Sequence, residues 1–253
     1  MRFLITNDDG IDSVGIQALK NAALRRGHTC FISAPLHQCS ANSQHITLFQ
    51  PLKTFRRTEG YEGCEAYAVD GTPADCVRIS QPLFHDVPVD FVLSGINWGE
   101  NVGAGIYYSG TLAAAREASM MYYRAIAVSI VGGADEKAFD AAAERAVIMA
   151  EQLKETAFPR LGVINLNFPA TDAETWGEMK LCPAATSYFH DRYKAREDED
   201  GERVFELQHG STMEEPEEGT ESYYLRRNHP TCTFLTGYNN INAEFAATFA
   251  NLT

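Results

Sequence analysis

The chain has 253 residues, 45% of them hydrophobic, which suits one large domain with a sizeable core. Lys and Arg number 21 against 34 Asp and Glu, so the formal net charge is −13, and a nucleic-acid binder working through a basic patch is excluded. An aromatic content of 11% beside that apolar fraction argues against a chain disordered throughout.

Phe3 to Thr6 reads as a short buried strand, stopped by the turn-forming Asn7-Asp8-Asp9-Gly10. A helix follows, with Ile16, Leu19 and Ala23 on one face. Thr29 to Ser33 is a second strand closed by Ala34-Pro35, and 36–50 is polar and loop-like. Glu65 to Val69 is a strand that runs into Gly71-Thr72-Pro73. Asp90 to Ser94 is another, ending in a glycine-rich loop from Gly95 to Gly110. An alanine-rich helix spans Thr111 to about Tyr122, and Ala125 to Val131 is an apolar strand. From Asp135 to Lys154, Phe139, Ala142, Ala146, Met149 and Leu153 form a helical stripe, with acidic residues in the first turn. Gly162 to Phe168 is one more strand. Strands alternating with helices predict an α/β fold with a mostly parallel sheet over residues 1–170. Residues 191–221 hold two acidic runs, 197–200 and 214–218, and read as a solvated hairpin or loop.

The six cysteines include no C-x-x-C pair, so neither a zinc nor a thioredoxin-type motif is present. The N-terminus lacks a signal peptide's long apolar region, and no stretch approaches the roughly 18 apolar residues of a membrane helix. A cytoplasmic protein with reduced thiols, not held in a membrane, is the expectation.

Three polar clusters fall beyond strand ends, where open α/β sheets bind ligands. Asp8 and Asp9 are adjacent carboxylates whose repulsion a hard cation such as Mg²⁺ or Mn²⁺ would offset, although Asp9-Gly10 also makes an ordinary turn. Residues 94–103 offer amide oxygens, Asn97 among them, on a flexible backbone. Ser109-Gly110-Thr111 opens a helix, so it is either an anion-binding turn or a simple N-cap. Trp98, Tyr107 and Tyr108 flank the site and either stack on a base or pack at the loop base. His37 and His45 flank the polar loop. Together the clusters suit phosphoryl chemistry beside a cation. No P-loop, no G-x-G-x-x-G after the first strand and no G-x-S-x-G is present. Adjacent Asp8-Asp9 departs from the Asp-x-Asp of haloacid-dehalogenase-type phosphatases, and no placed Lys supports a receiver domain.

Thr6-Asn7-Asp8-Asp9-Gly10, Ala34-Pro35 with Ser40 and Ile46-Thr47, and Gly71 to Cys76 match a known family in order. So do Ser94-Gly95-Ile96-Asn97 through Asn101 and Gly103, Tyr108 to Thr111 with Ala114-Ala115, and Asn165 to Pro169. On these motifs the chain resembles the stationary-phase survival protein family, SurE. That resemblance implies a metal-dependent nucleotidase acting on 5′- and 3′-nucleoside monophosphates, on a Rossmann-like, mostly parallel sheet with helices on both faces. It implies a single domain over 1–253: an α/β core (1–170) and a C-terminal hairpin or extension (171–253) used in homodimer or homotetramer assembly. At matched positions it implies metal ligation by Asp8, Asp9, Ser40 and Asn97, with Asp8 and Asp9 catalytic. It implies phosphate or substrate binding by Asn97, Asn101, Ser109, Gly110 and Thr111. Leu36-His37-Gln38-Cys39 replaces the Arg-containing stretch usual before the ligand serine, the hairpin pattern is faint over Arg196 to Phe205, and the Ser-x-Thr-Pro-Leu finish is missing. A regulatory module that binds metal and nucleotide without turnover is the alternative.

Overall fold

The computed structural model describes residues 1–186, 191–208 and 215–236. In chain order it runs β1 (Arg2–Thr6), α1 (Val14–Arg25), β2 (Thr29–Pro35), β3 (Thr54–Arg57), β4 (Glu65–Val69) and α2 (Pro73–Leu83). Then come β5 (Phe91–Trp98), α3 (Gly105–Tyr108), α4 (Gly110–Met120), β6 (Ala125–Ile130), α5 (Glu136–Leu153) and β7 (Val163–Phe168). A 3₁₀ turn (Ala173–Thr175) leads to β8 (Lys180–Leu181), β9 (Arg192–Glu197), β10 (Arg203–Gln208), α6 (Glu221–Leu225) and β11 (Thr231–Leu235).

Nine strands form one sheet in the order β3-β4-β2-β1-β5-β6-β7-β11-β8. The strands from β4 to β7 are mutually parallel, whereas β3 on β4 and β11 on β7 run antiparallel. Central strands here are buried on both faces, as parallel sheets require: β6 and β7 have no exposed residue. One face packs Ile16, Leu19 and Ala22 of α1 and Phe139, Ala142 and Ala146 of α5 against Phe3, Ile5 and Leu93. The other packs Val77 of α2 and Leu112 and Ala115 of α4 against Leu4, Val92 and Ala127.

Local chemistry explains the helix starts. Ser13 caps α1, its Oγ accepting from Ile16 N at 3.4 Å, and Asn7 Nδ2 holds the preceding turn through Gly10 O (2.9 Å) and Ser13 Oγ (2.7 Å). Thr72 and Asp75 form a reciprocal capping box on α2, with Pro73 in its first turn. Asp135 caps α5.

The expected strands and helices are present, with additions and one correction. Strand β5 does not stop at Ser94: it continues to Trp98 across a register shift between Ser94 and Asn97 against β6. Gly95 makes this possible, because a Cβ there would stand 2.2 Å from the Val128 carbonyl oxygen. The glycine-rich segment also contains the single turn α3. The sheet extends beyond Phe168, since β11 lies on β7 with Thr231 opposite Asn167. The acidic segment is in part a hairpin, β9 pairing β10. Residue 214 of the second acidic run and the tail from 237 lie outside the described residues. Among the described residues no helix is long and apolar enough to cross a membrane.

Candidate active site

Strand β1 has β2 on one side and β5 on the other, so the chain reverses its winding at the carboxyl end of β1. No connection covers the crevice at such a point, and ligands bind there. Asp8 and Asp9 leave β1 into this crevice, two and three residues past Thr6.

Asp8 is 3% exposed. Its Oδ1 accepts from the Thr111 hydroxyl, and the Thr111 N–H donates to the same carboxylate. Burial pushes the Asp8 carboxyl up to about 6; the Thr111 hydroxyl opposes this and the Asp9 charge adds to it. Helix α4 approaches so closely that a Cβ on Gly110 would lie 2.7 Å from Asp8 Cβ and 2.9 Å from Oδ2. Asp9 is half-buried; its Oδ2 accepts from Trp98 N at 3.0 Å, and the Gln38 side chain also hydrogen-bonds it. Burial raises its carboxyl too.

Ser40 is exposed, and its Oγ accepts from Gln38 Nε2 at 2.9 Å, so one glutamine ties Ser40 to Asp9. The loop docks on Asp8 through Cys39 N to Asp8 O at 2.7 Å. Asn97 sits at the end of β5 beside Trp98; its Nδ2 donates to Gly99 O at 2.7 Å, which leaves the amide oxygen as its acceptor end. Ser109 is the N-cap of α4, its Oγ accepting from Leu112 N at 3.1 Å, whereas Thr111 turns to Asp8. The structure therefore brings Asp8, Asp9, Ser40, Asn97 and the 109–111 turn to one crevice.

Asn101 is placed differently. Its Nδ2 donates to Ser129 Oγ at 2.8 Å, its N–H to Asn167 Oδ1 at 2.8 Å, and its carbonyl accepts from Asn165 Nδ2 at 2.9 Å. These bonds make it the buried root of the 101–108 loop. Glu221, from the C-terminal third, holds the same loop by accepting from Gly103 N at 2.8 Å. Trp98, Tyr107 and Tyr108 are 65%, 69% and 46% exposed, so none is packed away at the loop base. His37 and His45 are both exposed.

Sequence reasoning missed the groups that hold the 36–50 loop. Asp75 accepts from Thr47 N (2.9 Å) and Thr47 Oγ1 (2.7 Å), and Thr72 Oγ1 donates to His45 O at 2.6 Å. Burial would raise the Asp75 carboxyl, but the Thr47 and Thr72 hydrogen bonds hold it below its ordinary range. Buried Glu117 accepts from Gln44 Nε2 (2.9 Å) and pairs with Arg78 (2.8 Å). The Thr72-x-x-Asp75 spacing is a capping-box signal that would have revealed Asp75 and α2 together.

The donors around Asp8 are all oxygens: two carboxylates, a hydroxyl and an amide. That set suits a hard divalent cation of the Mg²⁺ or Mn²⁺ type. Among the described residues no three His, Cys, Asp or Glu side chains converge, so a soft, cysteine- or histidine-rich centre is not built there. Two partly desolvated carboxylates side by side fit a cation on electrostatic grounds as well.

A family model described as survival protein SurE matches residues 3–191. The chain is 37% identical over 236 residues to a 5′-nucleotidase SurE of Clostridium botulinum (strain 657 / Type Ba4), covering 93% of this chain and 92% of that protein. It is 37% identical over 239 residues, with the same coverage, to a 5′-nucleotidase SurE of Maridesulfovibrio salexigens. Among solved structures, the SurE protein of Aquifex aeolicus superposes with a TM-score of 0.83 at 28% identity, covering 100% of this chain and 99% of that one.

Proposed function

The chain belongs to the SurE family, and from that premise we propose that it is a divalent-metal-dependent nucleotidase that hydrolyses nucleoside 5′- and 3′-monophosphates to nucleoside and inorganic phosphate. The observation that carries this reading is the contact of Asp8 with the first turn of α4, which sets paired carboxylates against a helix N-terminus.

Asp8, Asp9, Ser40 and Asn97 would hold one Mg²⁺ or Mn²⁺, which when bound supplies Lewis acidity toward a phosphoryl oxygen and toward water. The rest is the work of the chain. The Leu112 N–H donates to Ser109 Oγ, which leaves the Ser109 hydroxyl proton to be given to a phosphoryl oxygen at the start of α4. Asp9, half-buried at the crevice, takes the proton of the attacking water, and the Trp98 N–H on its Oδ2 fixes its orientation. Asp8 is nearly fully buried and held by the Thr111 hydroxyl, which suits orientation rather than proton transfer. Exposed Trp98, Tyr107 and Tyr108 offer faces for the nucleobase. We assign the protein to the cytoplasm and to a homodimer or homotetramer; light scattering after size-exclusion chromatography checks the assembly.

The test is inorganic phosphate released from a panel of 5′- and 3′-nucleoside monophosphates, with Mg²⁺ or Mn²⁺ and after EDTA, beside Asp9→Asn. Cation-dependent release that falls about a hundredfold or more in the variant supports the proposal. Nucleotide binding without release from any substrate would overturn it in favour of a regulatory module.

A further inference from the structure

Cys30 and Cys64 stand side by side, away from the phosphate site. Strands β2 and β4 are parallel neighbours with Phe31 opposite Glu65, and the two cysteines immediately precede that register. Both side chains point into the core face beneath α1, where Cys30 is 1% exposed and half-buried Cys64 packs against the same cluster. Each thiol is the largest influence on the titration of the other, as befits two neighbouring sulfurs. Neighbouring strands lie about 4.7–4.9 Å apart and disulfides span Cα separations of about 4.4–6.8 Å, so the two residues lie within the range over which a disulfide can close. A buried ammonium completes the group: Lys20, 6% exposed, donates from Nζ to Gln17 Oε1 at 2.6 Å and to the Gly60 carbonyl, in the loop that ends at Cys64.

We propose that Cys64 and Cys30 form a thiol–disulfide exchange site that reacts with a low-molecular-weight disulfide, Cys64 attacking and Cys30 resolving. The Cys64 thiolate attacks one sulfur of the reagent RSSR, and the other leaves as a thiolate that takes up the Cys64 proton. Cys30 then attacks the Cys64 sulfur and expels the second RS⁻, which takes the Cys30 proton. Two thiols and one RSSR become one protein disulfide and two RSH, with two electrons passing to the reagent.

The division of roles follows from the surroundings. The Cys30 hydrogen bond holds the Cys64 thiol below its ordinary range against the effect of burial, and the Lys20 charge adds to this. Cys30 is pushed up by that same hydrogen bond and by burial, as suits the second sulfur to react. Among the described residues, burial rather than a second thiol is the largest influence on each of the other cysteines. Burial raises Cys39, whose thiol donates to the His37 carbonyl. Cys232 stands opposite Leu181, so Cys182 is offset by one residue and its side chain takes the other face. The new bond would close the chain from 30 to 64, the segment that contains the Ser40 loop.

The full-length reduced protein is incubated with glutathione disulfide, digested without reductant and read by mass spectrometry. The expected product is a Cys30–Cys64 cross-linked peptide, two hydrogens lighter than the dithiol, with a Tm above that of the reduced form. Cys30→Ser should trap a glutathione adduct on Cys64, and Cys64→Ser should leave Cys30 unmodified. A lasting glutathione adduct on Cys64 of the wild type overturns the proposal, as does reaction confined to Cys39. Neither readout depends on nucleotide hydrolysis.

Discussion

Gly110 stands against Asp8 with no room for a side chain: a Cβ would meet Asp8 Cβ at 2.7 Å and Cγ at 3.1 Å. The first turn of α4 can reach the carboxylate only because this position is glycine. Gly110→Ala must therefore push the helix start away from Asp8 and lengthen the Thr111 hydrogen bond. The expected result is a folded protein by circular dichroism whose phosphate release falls by about a hundredfold, since an ångström of displacement at a reacting centre costs that much. Activity within a factor of two of wild type would show that the close approach is not required.

Asp8 also makes a stability prediction. Its carboxyl titrates near 6 in the folded chain against an ordinary value of 3.8, because burial disfavours the charge. The folded state thus holds the proton more tightly than the unfolded one, and stability falls as pH rises from about 4 through 6. In EDTA, Asp8→Asn should raise stability above pH 6 by roughly 2–3 kcal/mol, a gain that closes below pH 4. Its amide oxygen still accepts from Thr111. Added Mn²⁺ should raise the Tm of the wild type but not of the variant. Urea unfolding at pH 4 and pH 8 reads the effect, and a variant less stable than wild type at pH 8 in EDTA would refute it.

How much of this arrangement was legible in the sequence differs from one element to the next. The turn after β1 announced itself, because Asn7-Asp8-Asp9-Gly10 follows a buried run. The start of an alanine-rich helix at Ser109–Thr111 was also readable, but whether the turn caps the helix or binds an anion was not, and the Ser109 cap came from the structure. Ser40 had no such signal and came only through family resemblance: an exposed loop serine carries no periodicity, and Gln38, which ties it to Asp9, does so across the fold. Strand β3 was unreadable because three of its four residues are exposed, leaving no apolar alternation. Strand β11 lies beyond the acidic segment, and its partner β7 is far away in sequence. Asn101 resembled a substrate contact by motif, yet its bonds to Ser129, Asn165 and Asn167 are long-range and invisible to local spacing.

Asp75 should matter to catalysis without touching substrate. It receives two hydrogen bonds from Thr47 and caps α2, so it fixes the loop that presents Ser40. Asp75→Ala should cost about 1–3 kcal/mol of stability through the lost cap and the unpaired Thr47 N–H. The effect on catalysis should appear as a weaker response to metal: more Mn²⁺ for half-maximal phosphate release, with kcat at saturating metal changed less than tenfold. An unchanged metal requirement would separate the loop's anchoring from Ser40.

Glu151 gives a pH dependence remote from the active site. Its carboxylate accepts from Arg26 Nε at 2.9 Å and Nη2 at 2.7 Å, and from His28 Nε2 at 2.6 Å, pinning α5 to the end of α1. The Arg26 hydrogen bonds outweigh burial and, with His28, hold the carboxyl at about 2 against an ordinary 4.5. A depressed folded value means that the contribution is complete above pH 4.5 and is lost as pH falls from 4.5 toward 2. The pair is partly solvated, with side chains 32% and 27% exposed, so Glu151→Gln should cost only about 1 kcal/mol at pH 7. Urea unfolding of the two proteins at pH 7 and at pH 2.5 should show the difference at the first and its near disappearance at the second. A difference that persists undiminished at pH 2.5 would mean that Glu151 stabilises the α1–α5 contact by packing rather than by its charge.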